Sequence, residues 1–577
     1  MAIVAACLAA PAQAARTLLM PGVTYERQVQ FTSHGPVAIH VLNAPRPGGL
    51  YSLKPVLSNG AILGRERVTA MQRNVSRTAT AAGVNGDLFR YDDGRPSGVL
   101  LQGGVLANAP SAERSSVGLA ADGSLRVERV KLFGTWRGVG QRRPLTLNQP
   151  PGVNGVSLYT PAWGPATPAE TGTVEAVLAP FPLAAPNVDL SGPVTEIKQG
   201  GGTPIPPGGA VLVARGSGTQ RLVAEAFVAS PVTVRLVLSP SWAEIVDAVG
   251  GGPILVRDSK PVFRHFELFS TEQLARNPRT AVGQLADGRI VLVVVDGRQP
   301  GYSVGMTNFE LAQTLVRLGA VTASALDAGG SSTMAFDGNL LNKPSDPGGE
   351  RAVSEGFFVL YGGVYAPPPT EPVLSPNGDG VAEAQSLAYK LVRPSQVEVS
   401  LVGPDKVARP LEAAQKPAGV YRFTWNGTSR DGVAEPEGVW RFSVNAVDDA
   451  GQSSSATRLF SVDRTLGSLA VAPALVRVRP GGDTLQARFS LTRLANVTAR
   501  VETRSGAVYA VVSRQTLAPG THTIRWDGRI GKVAFARSGA YVLRITAGSE
   551  IGRSELSAPF ALRRVAAPAG ASGSGRR

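Results

Sequence analysis

A proline-rich segment divides this chain into two parts of different character. Residues 366–372 read APPPTEP, and prolines at this density form a stiff, extended connection. Before this segment, residues 23–365 show the patterns of both helices and strands, whereas the chain after it consists of short alternating strands and turns. We predict an α+β mixed-sheet domain at 23–365, a proline-rich linker at 366–372 and an all-β remainder.

The all-β remainder contains an internal repeat. The motif Trp425-Asn426-Gly427 recurs 101 residues later as Trp526-Asp527-Gly528, each time after an alternating strand and before an aromatic one. A period of about 100 residues with β alternation is typical of sandwich domains. We predict two all-β immunoglobulin-like sandwich domains, 373–465 and 466–565, which resemble those of flagellar hook-capping proteins. The glycine- and serine-rich tail, 566–577, is predicted to be disordered.

The N-terminus predicts export. Residues 1–15, MAIVAACLAAPAQAA, give an apolar stretch followed by the A-x-A site Ala12-Gln13-Ala14, as in a signal peptide. Val4-Ala5-Ala6-Cys7 also fits a lipoprotein cleavage box, which is the alternative. No later apolar run reaches the roughly 18 residues of a membrane span, so no transmembrane helix is expected. We expect a secreted, periplasmic or cell-surface protein.

Charge and cysteine content narrow the classes of function. The formal net charge is +15, but the basic residues are scattered, which favours a solvated surface over a nucleic-acid interface. Attraction to an anionic polymer is the alternative. One cysteine and four histidines leave no Cys-based zinc site and argue against a His-rich one.

One strand–helix–strand unit is clear before the linker. IVLVVV (290–295) is the continuous apolar run of a strand buried on both faces, and VTASAL (321–326) is a second strand. Between them, Thr307 and Glu310 form a capping box at the start of a helix. Asp296 and Asp327 follow the two strands, so we expect both at the sheet edge where ligands bind.

Five segments in this domain could carry chemistry. They are Asn85–Phe89, Gly250–Pro253, Asn277–Thr280, Asp296–Arg298 and Asp327–Ser332. Most of them, taken alone, are explained as turns. The last, DAGGSS, is more informative, because it exposes backbone N–H groups and hydroxyls to an anion or a sugar oxygen.

Taken together and in this order, the segments resemble the phosphodiester glycosidase family. LYTPAWG (158–164), VVVDGRQPGYSVGMTNFELA and PSDPGGERAVSEG extend the resemblance over most of 23–362. It implies a hydrolase that cleaves the bond between a sugar's anomeric carbon and a phosphodiester in an extracellular glycan or glycoconjugate. The family usually has Asp-Gly-Gly-Gly-Ser where this chain has Ala328. Alanine costs little there if its φ is negative and strains the loop if its φ is positive.

This chemistry suggests roles for individual residues. Arginine matches phosphate oxygens with a planar fork, and a carboxylate stabilises positive charge on the sugar ring. The predicted catalytic residues are Asp327, Asp296, Arg279 and Glu350. The predicted substrate-binding residues are Asn85, Asp87, Arg298, Gly329, Gly330, Ser331, Ser332 and Arg351. Glu310 fits the helix cap better than catalysis, and Glu350 and Arg351 could instead pair with each other.

Two other functions stay open at this point. A non-enzymatic surface protein could bind an anionic glycan in the same cleft, and a metal-dependent phosphoesterase could cleave the other P–O bond. No catalytic cofactor is expected, although Asn377 and Asp379 in SPNGDG could hold a structural Ca²⁺ if they do not simply form a turn. The expected partner is a sugar-phosphate-containing glycan or polymer, with the C-terminal sandwiches available for surface attachment.

Overall fold

The computed structural model describes residues 16–262, 267, 275–378, 380–479, 481–530 and 534–565. The chain divides into two compact units, Met1–Gly362 and Gly363–Arg577. The predicted signal peptide, Asp379 of the calcium prediction and the predicted tail lie outside the described residues. Within the described residues, no helix has both the length and the apolar character that crossing a membrane requires.

The first unit is built around an eight-stranded sheet whose neighbouring strands are all antiparallel. From edge to edge its strands are Thr17–Met20, Val23–Thr32, Gly35–Ala44, Ile290–Val295, Arg279–Leu285, Ala320–Ala325, Ile254–Arg257 and Lys260–Pro261. Ile290–Val295 is buried at every position, as its continuous apolar run predicts.

The predicted strand–helix–strand unit is present, but its two strands are not neighbours. Arg279–Leu285 lies between Ile290–Val295 and Ala320–Ala325 and runs antiparallel to both. The outer two strands are therefore parallel to each other and end at the same edge, where Arg279 begins the strand between them. The prediction of a mixed sheet is wrong for this sheet, because Arg279–Leu285 separates the two parallel strands and each of the other neighbouring pairs is antiparallel as well.

A helix, Asn308–Arg317, connects these strands and begins with the predicted capping box. Thr307 Oγ1 accepts a hydrogen bond from the Glu310 backbone N–H, and Glu310 Oε2 accepts one from the Thr307 N–H at 2.9 Å. The Glu310 carboxylate also pairs with Arg276. These contacts occupy Glu310 in the cap, as the sequence indicates.

Two five-stranded sheets and a short ladder pack beside the large sheet. The first contains Asn339–Leu340, Met334–Phe336, Thr80–Asn85, Glu355–Tyr361 and Tyr51–Leu57, in that order. The second contains Leu125–Arg129, Ser115–Ala120, Ile245–Gly250, Leu100–Gln102 and Val105–Asn108, in that order. The ladder joins Ala352–Val353 to Glu66–Arg67.

A closed seven-stranded barrel is inserted into the second of these sheets. Around the barrel the strands are Lys131–Arg137, Arg143–Leu147, Val156–Tyr159, Ala210–Arg215, Thr173–Leu178, Asp189–Gln199 and Pro231–Ser239. The unit contains little helix beyond this β structure: Val68–Val75, Ser217–Glu225 and Asn308–Arg317 are the described α-helices. The first unit is therefore mostly β, and the α+β prediction overstated its helical content.

The second unit consists of strands arranged around two apolar cores. The first core, which includes Trp440 and Phe442, lies between two sheets, and the second, which includes Phe489 and Trp526, lies between two more. The sheets of the first core are Val373–Leu374, Ser453–Val462, Gly438–Asp448, Ser395–Val402 and Ala408–Lys416, and Gln385–Leu391 with Gly419–Trp425. Those of the second core are Leu466–Ala472, Leu485–Leu491 and Gly520–Trp526, and Leu475–Val478, Arg553–Arg564, Gly539–Gly548, Ala495–Thr503 and Val508–Leu517. Arg529–Ile530 pairs with Ala534–Phe535 in a short ladder.

Two sequence predictions fall in this unit. The proline-rich segment does not run free of the first core's sheets, because the Ser461 backbone N–H donates to Pro372 O and Arg458 donates to Ala366 O. Asn377 Nδ2 lies 3.1 Å from Ser375 Oγ, which is the kind of contact a turn makes. The immunoglobulin-like character of the sandwiches and the calcium site stay predictions.

We expect Thr307→Ala to destabilise the first unit by about 1 kcal/mol, because the variant loses the hydroxyl that caps the helix. Calorimetric unfolding of the full chain measures the loss, and Thr307→Ser is the matched control that keeps the hydroxyl. Equal unfolding temperatures for the two variants would contradict the assignment of the cap.

Candidate active site

A cleft of about 270 Å³ opens at the edge of the large sheet where Asp327 and Arg279 meet. Its wall combines an acidic side chain, three arginines, an aromatic pair and a glycine-rich loop. The lining residues are Leu88, Phe89, Tyr91, Asn277, Arg279, Arg298, Asp327, Ala328, Gly329, Gly330 and Arg351. Six of the residues that the sequence singles out for the site therefore meet in one place.

Asp327 is the acidic residue among the described residues that line this cleft. It follows Ala320–Ala325, and its backbone N–H donates to Gly86 O at 3.0 Å. Its Oδ1 accepts the Ala328 backbone N–H at 2.8 Å. Burial raises the pKa of Asp327 to about 7, although hydrogen bonds from Ser331 and Ala328 oppose the shift. A carboxyl group with this pKa exchanges protons near neutral pH.

A group of buried charged residues lies behind Asp327. Arg114 forms a two-pronged ion pair with Asp87, with N–O distances of 2.8 and 2.9 Å. Glu355 Oε1 accepts the Asp87 backbone N–H at 2.6 Å, and the Ser354 hydroxyl also donates to Glu355. Burial and the nearby Asp87 charge raise the pKa of Glu355 to about 8. Glu355 therefore carries a proton at neutral pH, while Arg114 balances the charge of Asp87.

Three arginines form the basic wall of the cleft. Arg279 is buried, and its Nε donates to Met306 O at 2.9 Å. Burial and the neighbouring Arg298 lower the pKa of Arg279 to about 10, so it stays cationic at neutral pH. Arg298 is exposed, and its Nε donates to Asn277 Oδ1 at 2.9 Å. Two guanidinium groups that line one cleft provide partners for an anionic group of a ligand.

The third arginine, Arg351, is held by an acidic partner. Its guanidinium forms a two-pronged pair with Asp346 at 2.8 and 3.0 Å, and its Nη1 donates to the Tyr91 hydroxyl at 2.8 Å. Ser331 Oγ lies 3.5 Å from the same Nη1. The expected alternative, a pair between Arg351 and Glu350, does not form, because Glu350 is engaged elsewhere.

The loop after Asp327 fits its sequence without strain at Ala328. Ala328 has φ −122° and ψ −174°, an extended conformation open to any residue. The departure from the family pattern therefore costs little. Gly330 is required for a different reason: a Cβ there would lie 2.1 Å from both Arg351 Nη2 and Asp346 Oδ1. Gly329 has φ +69°, the left-handed region that favours glycine.

The aromatic wall consists of Phe89 and Tyr91, whose ring centroids are 5.1 Å apart. Tyr91 is 65% exposed, and the Arg65 guanidinium lies 5.8 Å from its ring centroid. An exposed ring beside a cleft offers an apolar face to a ligand. Neither ring was predicted from the sequence; Phe89, the last residue of the Asn85–Phe89 segment, was the available signal.

Asp296 lies at the predicted edge but does not line the cleft. Its carboxylate accepts hydrogen bonds from Tyr302 Oη and Asn342 Nδ2, each at 2.9 Å, and from the Lys343 backbone N–H at 3.2 Å. His40 Nε2 lies 2.9 Å from Oδ2. Although burial alone would raise its pKa, the bonds from His40, Asn342 and Tyr302 outweigh it and lower the pKa of Asp296. These bonds occupy the carboxylate away from the lining of the cleft, and the catalytic role of Asp296 stays a prediction.

Glu350 is also placed away from the cleft. Its two carboxylate oxygens accept the Thr69 backbone N–H at 2.9 Å and the Thr69 hydroxyl at 2.7 Å. Glu350 thus supplies acceptors to the N-terminus of the Val68–Val75 helix, where an acidic group is favourable. This contact explains Glu350 without the catalytic role that the sequence suggested.

Four predicted substrate-binding residues are buried around the site instead of lining it. Asn85 bonds to Asp327 O and Thr280 Oγ1, and Asp87 is paired with Arg114. Ser331 and Ser332 are at most 1% exposed. These side chains bond to other parts of the site, and none of them is among the described residues that line the cleft.

Arg114 and Glu355 were not predicted from the sequence. Glu355 lies in the PSDPGGERAVSEG segment, which marks it for attention but not as buried. Gly250, from the triple-glycine segment, leaves room for this cluster, since a Cβ there would lie 2.1 Å from Asp87 Oδ2.

Among the described residues, no group of three or more His, Cys, Asp or Glu is arranged to hold a metal ion.

Comparison with known proteins finds a family match over part of the residues that line this cleft. Residues 185–360 match the model of the phosphodiester glycosidase family. The resemblance predicted from the sequence is thereby confirmed over these residues. Arg279, Arg298, Asp327 and Arg351 fall within the match, whereas Phe89 and Tyr91 lie before it. A match to this family supports a hydrolase.

Individual relatives cover short parts of the chain. A 108-residue segment is 39% identical to the SPbeta prophage-derived uncharacterized protein YomE of Bacillus subtilis (strain 168), covering 18% of this chain and 16% of that protein. A 68-residue segment is 40% identical to N-acetylglucosamine-1-phosphodiester alpha-N-acetylglucosaminidase of Bos taurus, covering 12% of each. The chain thus spans less than a fifth of either relative.

A solved structure extends the likeness in fold. A hypothetical protein from Synechocystis superposes with a TM-score of 0.50 at 25% identity, over 59% of this chain and 62% of that chain. More than half of this chain therefore shares its fold with a bacterial protein.

We expect Ala328→Gly to lower stability by about 0.4–1 kcal/mol without raising activity, since the extended backbone needs no glycine there. Gly330→Ala is the contrasting variant, because its methyl group would displace Arg351 from Asp346. Calorimetric unfolding and ligand binding of the two variants test this difference. A gain of function in Ala328→Gly would show that the loop is strained.

A second prediction concerns pH and stability. Because the folded chain holds protons on Glu355 and Asp327 that the unfolded chain releases, its stability falls as pH rises from about 4.5 to about 8. We expect the stability of the Glu355→Gln variant to fall less steeply over this pH range. Urea denaturation at a series of pH values measures the slopes, with Glu113→Gln as the exposed control. Parallel slopes for Glu355→Gln and the unmodified chain would contradict the raised pKa.

Proposed function

We propose that this protein is a secreted phosphodiester glycosidase that hydrolyses the bond between a sugar's anomeric carbon and a phosphodiester in an extracellular glycan. The observation that carries the proposal is one cleft in which Asp327 faces Arg279 and Arg298. The family match over 185–360 supports the reaction class. The export signal predicted in residues 1–15 supports secretion.

In this proposal the two arginines bind the phosphate. Arg298 is exposed at the cleft, and Arg279 is fixed through Met306 O. Their positive charges stabilise the negative charge that collects on the phosphate oxygens as the C–O bond breaks. The departing phosphate monoester is a good leaving group, so strong acid assistance is not needed. The exposed Tyr91 ring provides an apolar surface for the sugar or the leaving group.

Asp327 acts on the sugar side of the scissile bond. Its ionised form stabilises positive charge on the sugar ring and accepts a proton from the attacking water. The water oxygen bonds to the anomeric carbon, the bond from that carbon to the phosphate oxygen breaks, and free sugar and phosphate monoester leave. A pKa near 7 leaves both the protonated and the ionised form of Asp327 populated at neutral pH. The same group can therefore release the proton that it accepted from the water.

The proposal predicts loss of turnover when Asp327 is replaced. In a panel of sugar-1-phosphodiesters, we expect Asp327→Asn to lower kcat by roughly 10²-fold or more, and Arg298→Ala to raise KM by weakening phosphate binding. Asp287→Asn, a change at an exposed carboxylate, is the matched control. The plot of kcat/KM against pH should show a limb near pH 7 that Asp327→Asn lacks.

The same assay separates the alternatives. Release of free sugar with phosphate monoester, unaffected by chelator, supports the glycosidase. Loss of turnover with chelator supports the metal-dependent phosphoesterase. Retained glycan binding with no turnover of any substrate supports the non-enzymatic surface protein.

A further inference from the structure

A second cleft lies on the other side of the hairpin that carries the aromatic wall. Residues 88–97 form this hairpin, since Arg90 N donates to Arg95 O and Ser97 N donates to Leu88 O. Leu88, Phe89 and Tyr91 line the candidate active site, whereas Arg90, Arg95, Pro96 and Ser97 line the second cleft. The second cleft has a volume of about 590 Å³ and is the larger of the two.

The second cleft exists because two barrel strands separate. Lys131–Arg137 and Arg143–Leu147 pair from Trp136–Arg143 to Gly134–Leu145, and the pairing ends there. Residues 131–133 and 145–147 then line opposite parts of the cleft. Backbone groups that no longer bond across this gap are available to a polar ligand.

The charge of this cleft is positive. Its ionisable lining residues are Arg90, Arg95 and Lys131, and no acidic residue is among the described residues that line it. Arg90 and Arg95 are paired with aspartates of the hairpin. Within the described residues, no carboxylate lies within 4 Å of Lys131. Lys131 is therefore the cation with most to gain from an anionic ligand.

Arg95 gives the cleft a rigid floor. It is 6% exposed, and its guanidinium lies 5.3 Å from the ring centroid of Trp163. Its Nη1 also lies 3.4 Å from Asn148 O. Asn108, another lining residue, donates to Pro96 O at 3.0 Å and so fixes the hairpin. A ligand thus meets a wall that is already ordered, which lowers the entropy lost on binding.

Phe133 supplies an apolar surface next to the cation. Phe133 is 57% exposed and lies two residues after Lys131 on one strand, so their side chains point to the same face of the strand. An exposed ring can stack on the C–H face of a sugar, and the adjacent ammonium can bind a phosphate on it. This pairing matches a phosphate-bearing saccharide better than a bare anion or a neutral glycan.

We propose that the second cleft is a binding site for a further sugar residue of a phosphate-bearing saccharide, whose reactive end occupies the candidate active site. The part of this proposal in which one saccharide occupies both clefts rests on the proposed function. Binding in the second cleft depends only on Lys131, Phe133 and the fixed hairpin. The proposal makes the natural substrate a chain of sugars and not a small diester.

Calorimetric titration of the full chain with dextran phosphate oligosaccharides tests this assignment, with Asp327→Asn present throughout to prevent turnover. We expect Lys131→Ala and Phe133→Ala each to weaken binding by about fivefold, the loss of one exposed charge or one ring contact. Lys260→Ala and Phe31→Ala, exposed residues outside both clefts, are the matched controls and should leave the Kd unchanged. Unfolding temperatures confirm that all variants fold.

Two probes test the saccharide class. Neutral dextran should bind more weakly than dextran phosphate. The Kd of polyphosphate should be the same for the Phe133→Ala variant as for the protein with Phe133. Dextran phosphate binding unchanged by both Lys131→Ala and Phe133→Ala would overturn the proposal. Polyphosphate that binds as tightly as dextran phosphate would overturn the saccharide assignment.

Turnover of a small sugar-1-phosphodiester separates this inference from the proposed function. With Asp327 intact, Lys131→Ala and Phe133→Ala should cleave the small substrate at the unmodified rate and show a raised KM only for a longer phosphate-bearing chain. A loss of small-substrate turnover in these variants would overturn the assignment to a remote subsite. If no variant cleaves any substrate, the proposed function fails, and the titrations still decide whether the second cleft binds saccharide.

Discussion

The buried amide of Asn85 is the junction on which the candidate active site depends. Its Nδ2 donates to Asp327 O at 2.9 Å, and its Oδ1 accepts Thr280 Oγ1 at 2.9 Å and the Thr333 N–H at 3.1 Å. One side chain thus joins the end of Thr80–Asn85 to the large sheet and to both ends of the loop after Asp327. A group that lost these partners would be left buried and unsatisfied, at a cost of about 1–3 kcal/mol. The position of Asp327 is therefore set through its backbone, which leaves its carboxyl group for the cleft.

Two aspartates at equivalent strand ends have opposite electrostatic environments. Asp296 is surrounded by hydrogen-bond donors, including Tyr302 and Asn342, which keep its carboxylate ionised and fixed. Asp327 is buried near Asp87 and Glu355, with fewer donors, so its proton is held more tightly. The difference comes from neighbours distant in the sequence. Position at a strand end selects candidates for the site, and the number of donors around each carboxyl group decides which of them can exchange a proton.

Local signals predicted much of the fold and part of the site. The periodicity of residues 290–326 predicted two strands and a capped helix, because each depends on nearby residues. Arg279, Arg298, Asp327 and Arg351 do line one cleft. The barrel and the intervening Arg279–Leu285 strand were not predicted, since both depend on pairing between distant segments. Burial of Glu355 beside Asp87 and the helix contact of Glu350 are likewise set by tertiary packing, which a pattern in the sequence does not record.

The barrel is inserted into the first unit in a way that keeps its two chain connections close together. The chain enters the barrel after Leu125–Arg129 and leaves it before Ile245–Gly250, and both strands flank Ser115–Ala120 in one sheet. The first and last residues of the barrel, Lys131 and Ser239, pair across neighbouring strands, so entry and exit are about 5 Å apart, one strand spacing. A module attached through adjacent ends can be lengthened, reshaped or replaced while the sheet below keeps its register. Under the proposed assignment of the second cleft, changes confined to the barrel would alter which polymers the protein binds and leave Asp327 and the arginines of the active-site cleft in place, so ligand range and chemistry could evolve independently.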